Sequence, residues 1–382
     1  MLDLKNISLA FDEKLSAIKS YDVERSELTL EYRTELEKIK VINPDLNKNL
    51  PPYSGAKFLE PGRLIHPFPF NWKDRNEAME WVDSILCTVP VGAVDGSQIY
   101  SDKNYEIPIA VIQISRIFNR HTQNMDYFQE TDAAIITPDE FEAASVYSFG
   151  NEYIDARRFS MECDGVVRLM NEYQGIFVLL DGALILSHIN MLNKNTKEIY
   201  VKAIMKLLGT SQETGNPVIG FIDMTMPRDI TLMMHFLFGL RKSKLPDTQL
   251  FSTMLWGERT AAFLCDRDDR RGDEARSVLD NYGKFRNELA FFYIRTGKGL
   301  PARVEFPSWV HKEGMVDKIA DIIRAECVIR SNYPDILMRA HDAAVIRTNE
   351  HELFYRMLEN FCKVHGIKIH RSEKDYHKKL NR

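Results

Sequence analysis

Two short apolar runs decide the fold: Val91-Gly-Ala-Val-Asp95-Gly96-Ser97 and Phe177-Val-Leu-Leu-Asp181-Gly182-Ala183. An apolar run of this kind is typical of a buried sheet strand. An aspartate at its end, followed by a glycine that lets a ligand approach the backbone, is poorly explained by folding alone. Two such aspartates predict one metal site at the point where two neighbouring strands end.

The alternative for each motif is an ordinary turn after a strand, where Asp-Gly is common. The chain around Asp181 weakens this alternative, because Gly182 is followed by Ala-Leu-Ile-Leu and the sequence stays apolar where a surface turn would become polar. A carboxylate in such surroundings needs a partner, and a cation is a natural one. For Asp95, the residues alone leave both interpretations open.

The chain is predicted to have three parts. Residues 1–71 form an N-terminal segment: apolar and charged residues over 3–41 alternate at helical spacing and predict one or two amphipathic helices, and a linker rich in proline, glycine and asparagine follows. The amphipathic segment packs on a partner, forms a helical hairpin or is a plain surface helix. A compact domain is expected over 72–362, and a basic tail over 363–382 either contacts phosphates or is simply solvated.

Strands and helices alternate within the compact domain, which predicts an α/β fold. Polar residues around Asn119 to His121 predict a hairpin turn after the strand Ile107–Ile114, so the first part of the sheet is expected to be antiparallel. The other predicted elements are strands at 89–94, 176–180 and 217–222 and helices at 152–174, 197–208 and 229–240.

Composition excludes several classes of protein. The 382 residues are 44% hydrophobic and 27% charged, as in ordinary globular proteins of one or two domains, and the formal net charge of -5 argues against a uniformly basic nucleic-acid coat. No apolar run approaches the roughly 20 residues that span a bilayer, and no signal-peptide pattern is present, so we expect a cytoplasmic protein without a membrane partner. Five scattered cysteines form no CxxC pair, which argues against a disulfide framework and structural zinc.

A helix between the two strands offers a third carboxylate, Glu162 or Asp164. These residues lie two positions apart, about 200° around a helix, so both cannot face one site. Mg²⁺ and Mn²⁺ take carboxylate oxygens as ligands, and phosphodiester nucleases use such ions, often in pairs, to activate water and to neutralise the leaving oxygen.

The segment from Tyr333 to His341 is the remaining candidate. Pro334 at a helix start would place His341 about two turns along that helix. A histidine there could bind a metal, move a proton or contact a phosphate. A lone histidine on a partly apolar helix is more often structural, so the residues alone favour the structural role.

Taken in order, the motifs resemble those of the NurA nuclease family, over about residues 88–360. Single motifs are permissive, whereas the ordered set is specific. The motifs that carry the resemblance are Asp95-Gly96-Ser97, Glu162, Leu180-Asp181-Gly182, Gly257-Glu258-Arg259, Ala302 to Val310 and Tyr333 to His341.

The resemblance implies a ribonuclease H-like mixed sheet flanked by helices and a nuclease that uses Mn²⁺ or Mg²⁺, with two ions expected. It implies action on single-stranded DNA and DNA ends with 5′ to 3′ polarity, with possible endonuclease activity, in end resection during double-strand break repair. It also implies a homodimer that works with a HerA-type hexameric helicase. Carried over by position, Asp95, Glu162 and Asp181 become metal ligands, and Tyr333 and His341 become the active-site tyrosine and histidine, with His341 near a second ion or the scissile phosphate.

Two departures from the family pattern stand out. Asp181 is followed by Gly-Ala where Gly-Ser is usual, and Asp223 stands where members often have lysine or serine. Asp223 either adds a carboxylate to the site or caps the helix at 229, and the cap is favoured. Arg259 is a candidate for a phosphate contact or, equally, for a structural ion pair with Glu258 or a neighbour.

Two other functions are compatible with the sequence. One is a non-catalytic protein that binds nucleic acid or a partner on a ribonuclease H-like scaffold, which the acidic net charge mildly favours. The other is a phosphoesterase for nucleotides or other small phosphates. Retention of all the candidate ligands favours the nuclease.

Overall fold

Helices and strands alternate along the chain in a computed structural model that describes residues 2–39, 41–122, 127–270, 276–330 and 332–372. The helices are α1 Leu4–Glu37, α2 Arg75–Leu86, α3 Pro138–Ala143, α4 Glu152–Glu172, α5 Lys194–Thr214, α6 Asp229–Phe238, α7 Asp247–Leu250, α8 Trp309–Lys312, α9 Val316–Ile329, α10 Asp335–Ala344 and α11 Thr348–Val364. The strands are β1 Gly55–Phe58, β2 Ile65–His66, β3 Val91–Ile99, β4 Ala110–Asn119, β5 Tyr127–Ile136, β6 Phe177–Asp181, β7 Val218–Ile222, β8 Arg259–Thr260, β9 Phe263–Asp266, β10 Leu289–Ile294 and β11 Ala302–Pro307. The second half of the predicted basic tail, from 373 onward, lies outside the described residues.

The chain forms two compact units, each built from separate segments. The first unit contains the residues up to Pro69 together with Asp223–Asp268 and Ala290–Arg303. The second contains Phe70–Ile222, Asp269–Leu289 and the residues from Val304 onward. The sequence predicts three consecutive parts along the chain. The first unit instead combines N-terminal residues with two segments from later in the chain.

The N-terminal segment of the first unit is one helix, α1, of 34 residues, where the pattern allowed one or two. The Asp3 carboxylate caps it by accepting from the backbone N–H of Asn6 at 3.1 Å. Tyr32 and Leu36 are its buried residues, and the Tyr32 hydroxyl donates to the carbonyl of Arg241 at 2.6 Å. Among the described residues, neither α1 nor any other helix has the length and apolar character needed to cross a membrane.

Helix α6 in the first unit is capped from another part of the chain. The backbone N–H groups of Ile230 and Thr231 donate to the Asp247 carboxylate at 3.0 and 2.8 Å. Asp223 is exposed, and Arg228 holds the N-cap position without a side-chain cap. The prediction that Asp223 caps this helix is therefore wrong, because a carboxylate distant in sequence satisfies the free N–H groups.

Buried ion pairs hold the core of the first unit. Asp229 contacts Arg267 at 2.6 Å and Arg303 at 2.9 Å. Arg259 is fully buried, and its two terminal nitrogens each lie 2.8 Å from the Glu60 carboxylate. Arg259 thus forms a structural ion pair, as one alternative predicted, with Glu60 as its partner.

The sheet of the second unit has the order β7-β6-β3-β4-β5. Strands β3, β6 and β7 are parallel, and β3, β4 and β5 are antiparallel, which agrees with the antiparallel first part predicted from sequence. This mixed sheet with its helices, together with the N-terminal helix, confirms the predicted fold class, an α/β mixed sheet flanked by helices. The residues of β6 up to Leu180 are buried, as the apolar run predicted.

Helices α4 and α10 contact opposite faces of β3. A Cβ atom added at Gly92 would lie 3.1 Å from Leu169 of α4, and one added to Gly165 of α4 would lie 3.1 Å from Val94. Side chains alternate between the two faces of a strand, so Asp95 and Ser97 face the other way. There they contact α10, as the hydrogen bonds below show.

Candidate active site

Asp95 and Asp181 lie side by side on neighbouring parallel strands. Val94 of β3 pairs with Leu180 of β6, so the two aspartates follow at the same level of the sheet. Adjacent strands lie about 4.8 Å apart, and residues in register on parallel strands point to the same face. The structure therefore brings together the two carboxylates that the sequence motifs indicated.

His341 of α10 contacts the first aspartate. Its Nδ1 lies 2.9 Å from Oδ2 of Asp95, while Oδ1 of Asp95 accepts from the backbone N–H of Gly96 at 2.8 Å. The imidazole side chain is 52% exposed and the Asp95 side chain 14%, so the pair opens to solvent on the histidine side.

Tyr333 contacts the second aspartate. Its hydroxyl donates to Oδ1 of Asp181 at 2.8 Å, and its ring meets the edge of Phe221 with centroids 5.3 Å apart. Tyr333 lies just before α10, whereas His341 lies near the end of that helix. A single segment therefore supplies one polar side chain to each of the two neighbouring aspartates.

Glu162 of α4 approaches β3 from the other face. It is 6% exposed, and its Oε1 lies 2.7 Å from Nη1 of Arg158, which also donates to the carbonyl of Gly96 at 3.1 Å. Burial raises the pKa of Glu162 to about 7; Arg158 opposes this shift, and the charges of Asp95 and Asp181 add to it. The three carboxylates are thus close enough to act on one another.

Asp164 points away from this cluster. Its carboxylate lies 2.8 Å from the Lys206 ammonium, and both side chains are more than half exposed. Of the two carboxylates that the sequence left open on this helix, Glu162 is the one that the structure places beside the aspartates.

The two Asp-Gly motifs need glycine for different reasons. A Cβ atom at Gly96 would lie 2.7 Å from Oε1 of Glu162 and 3.0 Å from Cγ of Arg158, so glycine makes room for this ion pair. Gly182 instead has φ = +135°, a backbone conformation that side-chain-bearing residues rarely adopt.

A sequence profile of the NurA domain matches residues 89–346, more than half of the chain, and this range contains the whole carboxylate cluster with Tyr333 and His341. The chain belongs to the NurA family. Family membership supports a nuclease and a nucleic-acid substrate, and it agrees with the resemblance seen in the motifs.

Two solved structures of endonuclease V are similar to this NurA-family chain. The Bacillus subtilis enzyme is 13% identical with a TM-score of 0.35, and the match covers 77% of this chain and 97% of that one. The catalytic domain of the human enzyme is 11% identical with a TM-score of 0.34, covering 77% and 95% respectively. Likeness at this level supports no conclusion about mechanism. No curated protein matches the chain.

The NurA-family cluster has the donor chemistry of a divalent-cation site. Three carboxylates with a histidine beside them match the hard ligands of Mg²⁺ and Mn²⁺. Each carboxylate contacts a protein group: Asp95 contacts His341, Asp181 contacts Tyr333, and Glu162 contacts Arg158. Within the described residues, no three His, Cys, Asp or Glu side chains are placed to share an ion as they stand. The chemistry fits a cation, and its entry would have to displace some of these contacts.

Sequence reasoning gave no role to three residues around the cluster. Arg158 lies four positions before Glu162, a spacing that pairs opposite charges on a helix. Ser97 belongs to the Asp-Gly-Ser motif, and Gln113 is the one polar residue in the predicted strand Ile107–Ile114; both donate to the carbonyl of Ala344. Such polar interruptions are the signal that could have indicated them.

Proposed function

We propose that this NurA-family protein is a metal-dependent deoxyribonuclease that hydrolyses phosphodiester bonds at the Asp95, Glu162 and Asp181 cluster. One observation carries the proposal. Two aspartates in register on parallel strands are each contacted by a side chain of the segment from Tyr333 to His341, beside a buried glutamate. An acidic cluster of this kind is suited to binding Mn²⁺ or Mg²⁺, and we expect two ions.

In this proposal Asp95, Glu162 and Asp181 would hold the ions, and His341 would lie near one of them or near the phosphate. A bound divalent ion activates water and neutralises charge on the leaving oxygen. The Tyr333 hydroxyl orients Asp181 by donating to Oδ1. A neutral His341 that donates from Nδ1 to Asp95 presents Nε2 as an acceptor, so the ring can take a proton or contact the substrate.

The resemblance to the family motifs supports a proposal for the substrate and the direction of cleavage. We propose cleavage of single-stranded DNA and DNA ends, 5′ to 3′ with possible endonuclease activity, in end resection during double-strand break repair. The net charge of -5 agrees with a site where metal ions, more than a basic surface, neutralise the phosphates.

We propose a HerA-type hexameric helicase and a second copy of the chain as partners. The feature that supports docking is the first half of α1, where large apolar side chains are exposed although the helix is otherwise highly charged. These residues are Leu4, Leu9, Phe11, Leu15 and Ile18. An apolar surface of this extent on a monomer commonly marks an interaction site.

Labelled oligonucleotides test the proposed reaction. Single- and double-stranded DNA carrying a 5′ or a 3′ label is incubated with Mn²⁺, Mg²⁺ or EDTA, using wild type beside Asp95→Asn. We expect ladders that depend on the metal, that reveal 5′ to 3′ direction, and that are lost in the variant. Cleavage that persists in EDTA, or at the wild-type rate in Asp95→Asn, would refute the metal mechanism.

Metal binding is tested separately from cleavage. Mn²⁺ is expected to raise the melting temperature of wild type, and Asp181→Asn is expected to lose most of this shift. A protein that binds nucleic acid without cutting it would show no Mn²⁺ shift in wild type. That outcome, together with intact labelled DNA, would replace the nuclease by the non-catalytic alternative.

A further inference from the structure

Two polar side chains on neighbouring strands of the sheet lie next to the proposed catalytic pair, Asp95 and His341. Ser97 of β3 and Gln113 of β4 are direct partners in the antiparallel register. Ser97 follows Asp95 by two positions, so both side chains point to the same face of β3. This is the face that contacts α10.

Both side chains donate to one backbone oxygen. The Ser97 hydroxyl lies 2.5 Å and the Gln113 amide nitrogen 3.0 Å from the carbonyl oxygen of Ala344. Ala344 is the last residue of α10 and is 1% exposed. The last carbonyls of a helix have no donor within it, and here the sheet supplies two.

His341 lies in the last turn of α10, the turn whose Ala344 carbonyl accepts from Ser97 and Gln113. Residues three apart on a helix are neighbours on its surface, so His341 and Ala344 lie on one side of α10. At the other end of the helix, the backbone N–H of Ile336 donates to the Glu326 carboxylate at 2.8 Å. With both ends held, the height and rotation of α10 relative to β3 are set, and so is the position of the imidazole.

We propose that Ser97 and Gln113 are positioning residues, which set the His341 ring against Asp95 by holding the Ala344 carbonyl. The inference gives the serine of Asp-Gly-Ser a physical role, distinct from metal binding. It rests on the proposed nuclease function for the consequence of a misplaced ring. The contact itself is independent of that function.

The test compares Ser97→Ala, Ser97→Thr, Gln113→Leu and the double variant Ser97→Ala/Gln113→Leu with wild type. Ser211→Ala is the matched control, since the Ser211 hydroxyl donates to the carbonyl of Asn216 at 2.7 Å in the same unit. The first readout is the NMR signal of the His341 ring in histidine-labelled protein at constant pH, assigned through its loss in His341→Gln. The second is kcat and KM for a labelled oligonucleotide with Mn²⁺.

We expect Ser97→Ala to shift the His341 signal and to lower kcat about tenfold with KM nearly unchanged, because small misplacements of catalytic groups slow the chemical step. Gln113→Leu should shift the signal less, and the double variant more. Ser97→Thr, which keeps the hydroxyl, should restore both readouts. Ser211→Ala should lower the melting temperature and leave both readouts at their wild-type values.

A His341 signal that stays at its wild-type position in the double variant would overturn the proposal. A wild type that cuts no DNA under any metal condition would instead overturn the proposed function. In that case the ring signal still decides whether the two side chains position the histidine, so the two failures are distinguishable.

Discussion

The carboxylate of Glu162 occupies the space that a side chain at Gly96 would fill, with its Oε1 2.7 Å from the position of the missing Cβ atom. The Cγ atom of Arg158 lies 3.0 Å from the same point. Strand β3 and helix α4 can hold this ion pair between them only because residue 96 has no side chain. Gly96 of the first Asp-Gly motif therefore leaves the space that the Glu162 carboxylate occupies.

Gly96→Ala should displace Glu162 and slow DNA cleavage about tenfold or more, because a catalytic group has moved. The fold should survive, since Oε1 is the end of a flexible side chain that can move aside. Rates with Mn²⁺ and thermal melting test both statements. Gly209→Ala is the control: nothing lies within 4 Å of its added Cβ in α5, so it should stabilise the helix by up to about 1 kcal/mol and leave cleavage unchanged. A Gly96→Ala protein with wild-type rates would contradict this role of glycine.

Glu162→Gln and Asp164→Asn should separate the two carboxylates of α4. The first change removes a charge that faces the aspartates, so we expect at least about a hundredfold loss of cleavage. The second removes an exposed partner of Lys206, so cleavage should stay near wild type and stability should change by less than about 1 kcal/mol. Cleavage rates and denaturant unfolding measure these effects. Equal loss of cleavage in both variants would argue against the assignment of Glu162.

Asp229→Asn should destabilise the first unit. The change removes the charge that neutralises Arg267 and Arg303, both of which are at least nine-tenths buried. Breaking a buried pair from one side costs about 3 to 5 kcal/mol. Denaturant unfolding gives the loss, and Glu198→Gln, which breaks an exposed pair with Lys202 on α5, should cost less than about 1 kcal/mol. Similar losses of unfolding free energy in the two variants would show that the buried ion pairs of Asp229 stabilise the protein no more than an exposed pair does.

Glu326 should make stability depend on pH. Burial raises its pKa from 4.5 to about 7, helped by Asp335 and opposed by the backbone N–H of Ile336. The folded protein therefore binds more protons than the unfolded chain between these values, and the free energy of unfolding falls as pH rises through them. Glu162 and Asp247, with raised pKa values, contribute with the same sign, so the difference between wild type and variant isolates Glu326.

Glu326→Gln should remove this contribution. Relative to wild type, the variant should gain on the order of 3 kcal/mol between pH 4.5 and pH 8. The added amide faces Nε2 of His121, which lies 3.7 Å from Oε1 of Glu326 and can accept a hydrogen bond when the ring donates from Nδ1 to the carbonyl of Val89. Urea unfolding at several pH values measures the difference. Parallel curves for the two proteins would be inconsistent with a buried carboxyl group of raised pKa.

The elements of the second unit were largely predictable, because apolar runs and helical spacing are local signals. Strand β4 shows the limit: it was predicted to end at Ile114 but continues to Asn119 through Ser115 and Arg116. Arg116 is buried within the sheet because it pairs with Glu130 and Asp132 of β5. A charged residue in an apolar run predicts the end of a strand unless its ion-pair partner on the neighbouring strand is known.

The candidate site could be predicted from the sequence only in part. Asp95 and Asp181 stood out locally, and the segment from Tyr333 to His341 gained a role only from the order of the family motifs. Two contacts join residues that are far apart in sequence, so no local pattern indicates them. Asp247 caps α6, and Gln113 donates to the last carbonyl of α10. The residues alone left Glu162 and Asp164 open because both have the same chemistry; the family resemblance favoured Glu162, and the structure places Glu162 beside the aspartates and Asp164 beside Lys206.

The contact between Asp95 and His341 joins residues 246 positions apart, and 152 positions separate Asp181 from Tyr333. A chain leaves the ribosome from its N-terminus, so both aspartates emerge long before the helix that completes their surroundings. Closing loops of this length comes late in folding, because their entropy cost is met only when the rest of the sheet is in place. During synthesis the contacts of His341 and Tyr333 with the two aspartates are therefore formed late, after the strands that carry Asp95 and Asp181 have emerged.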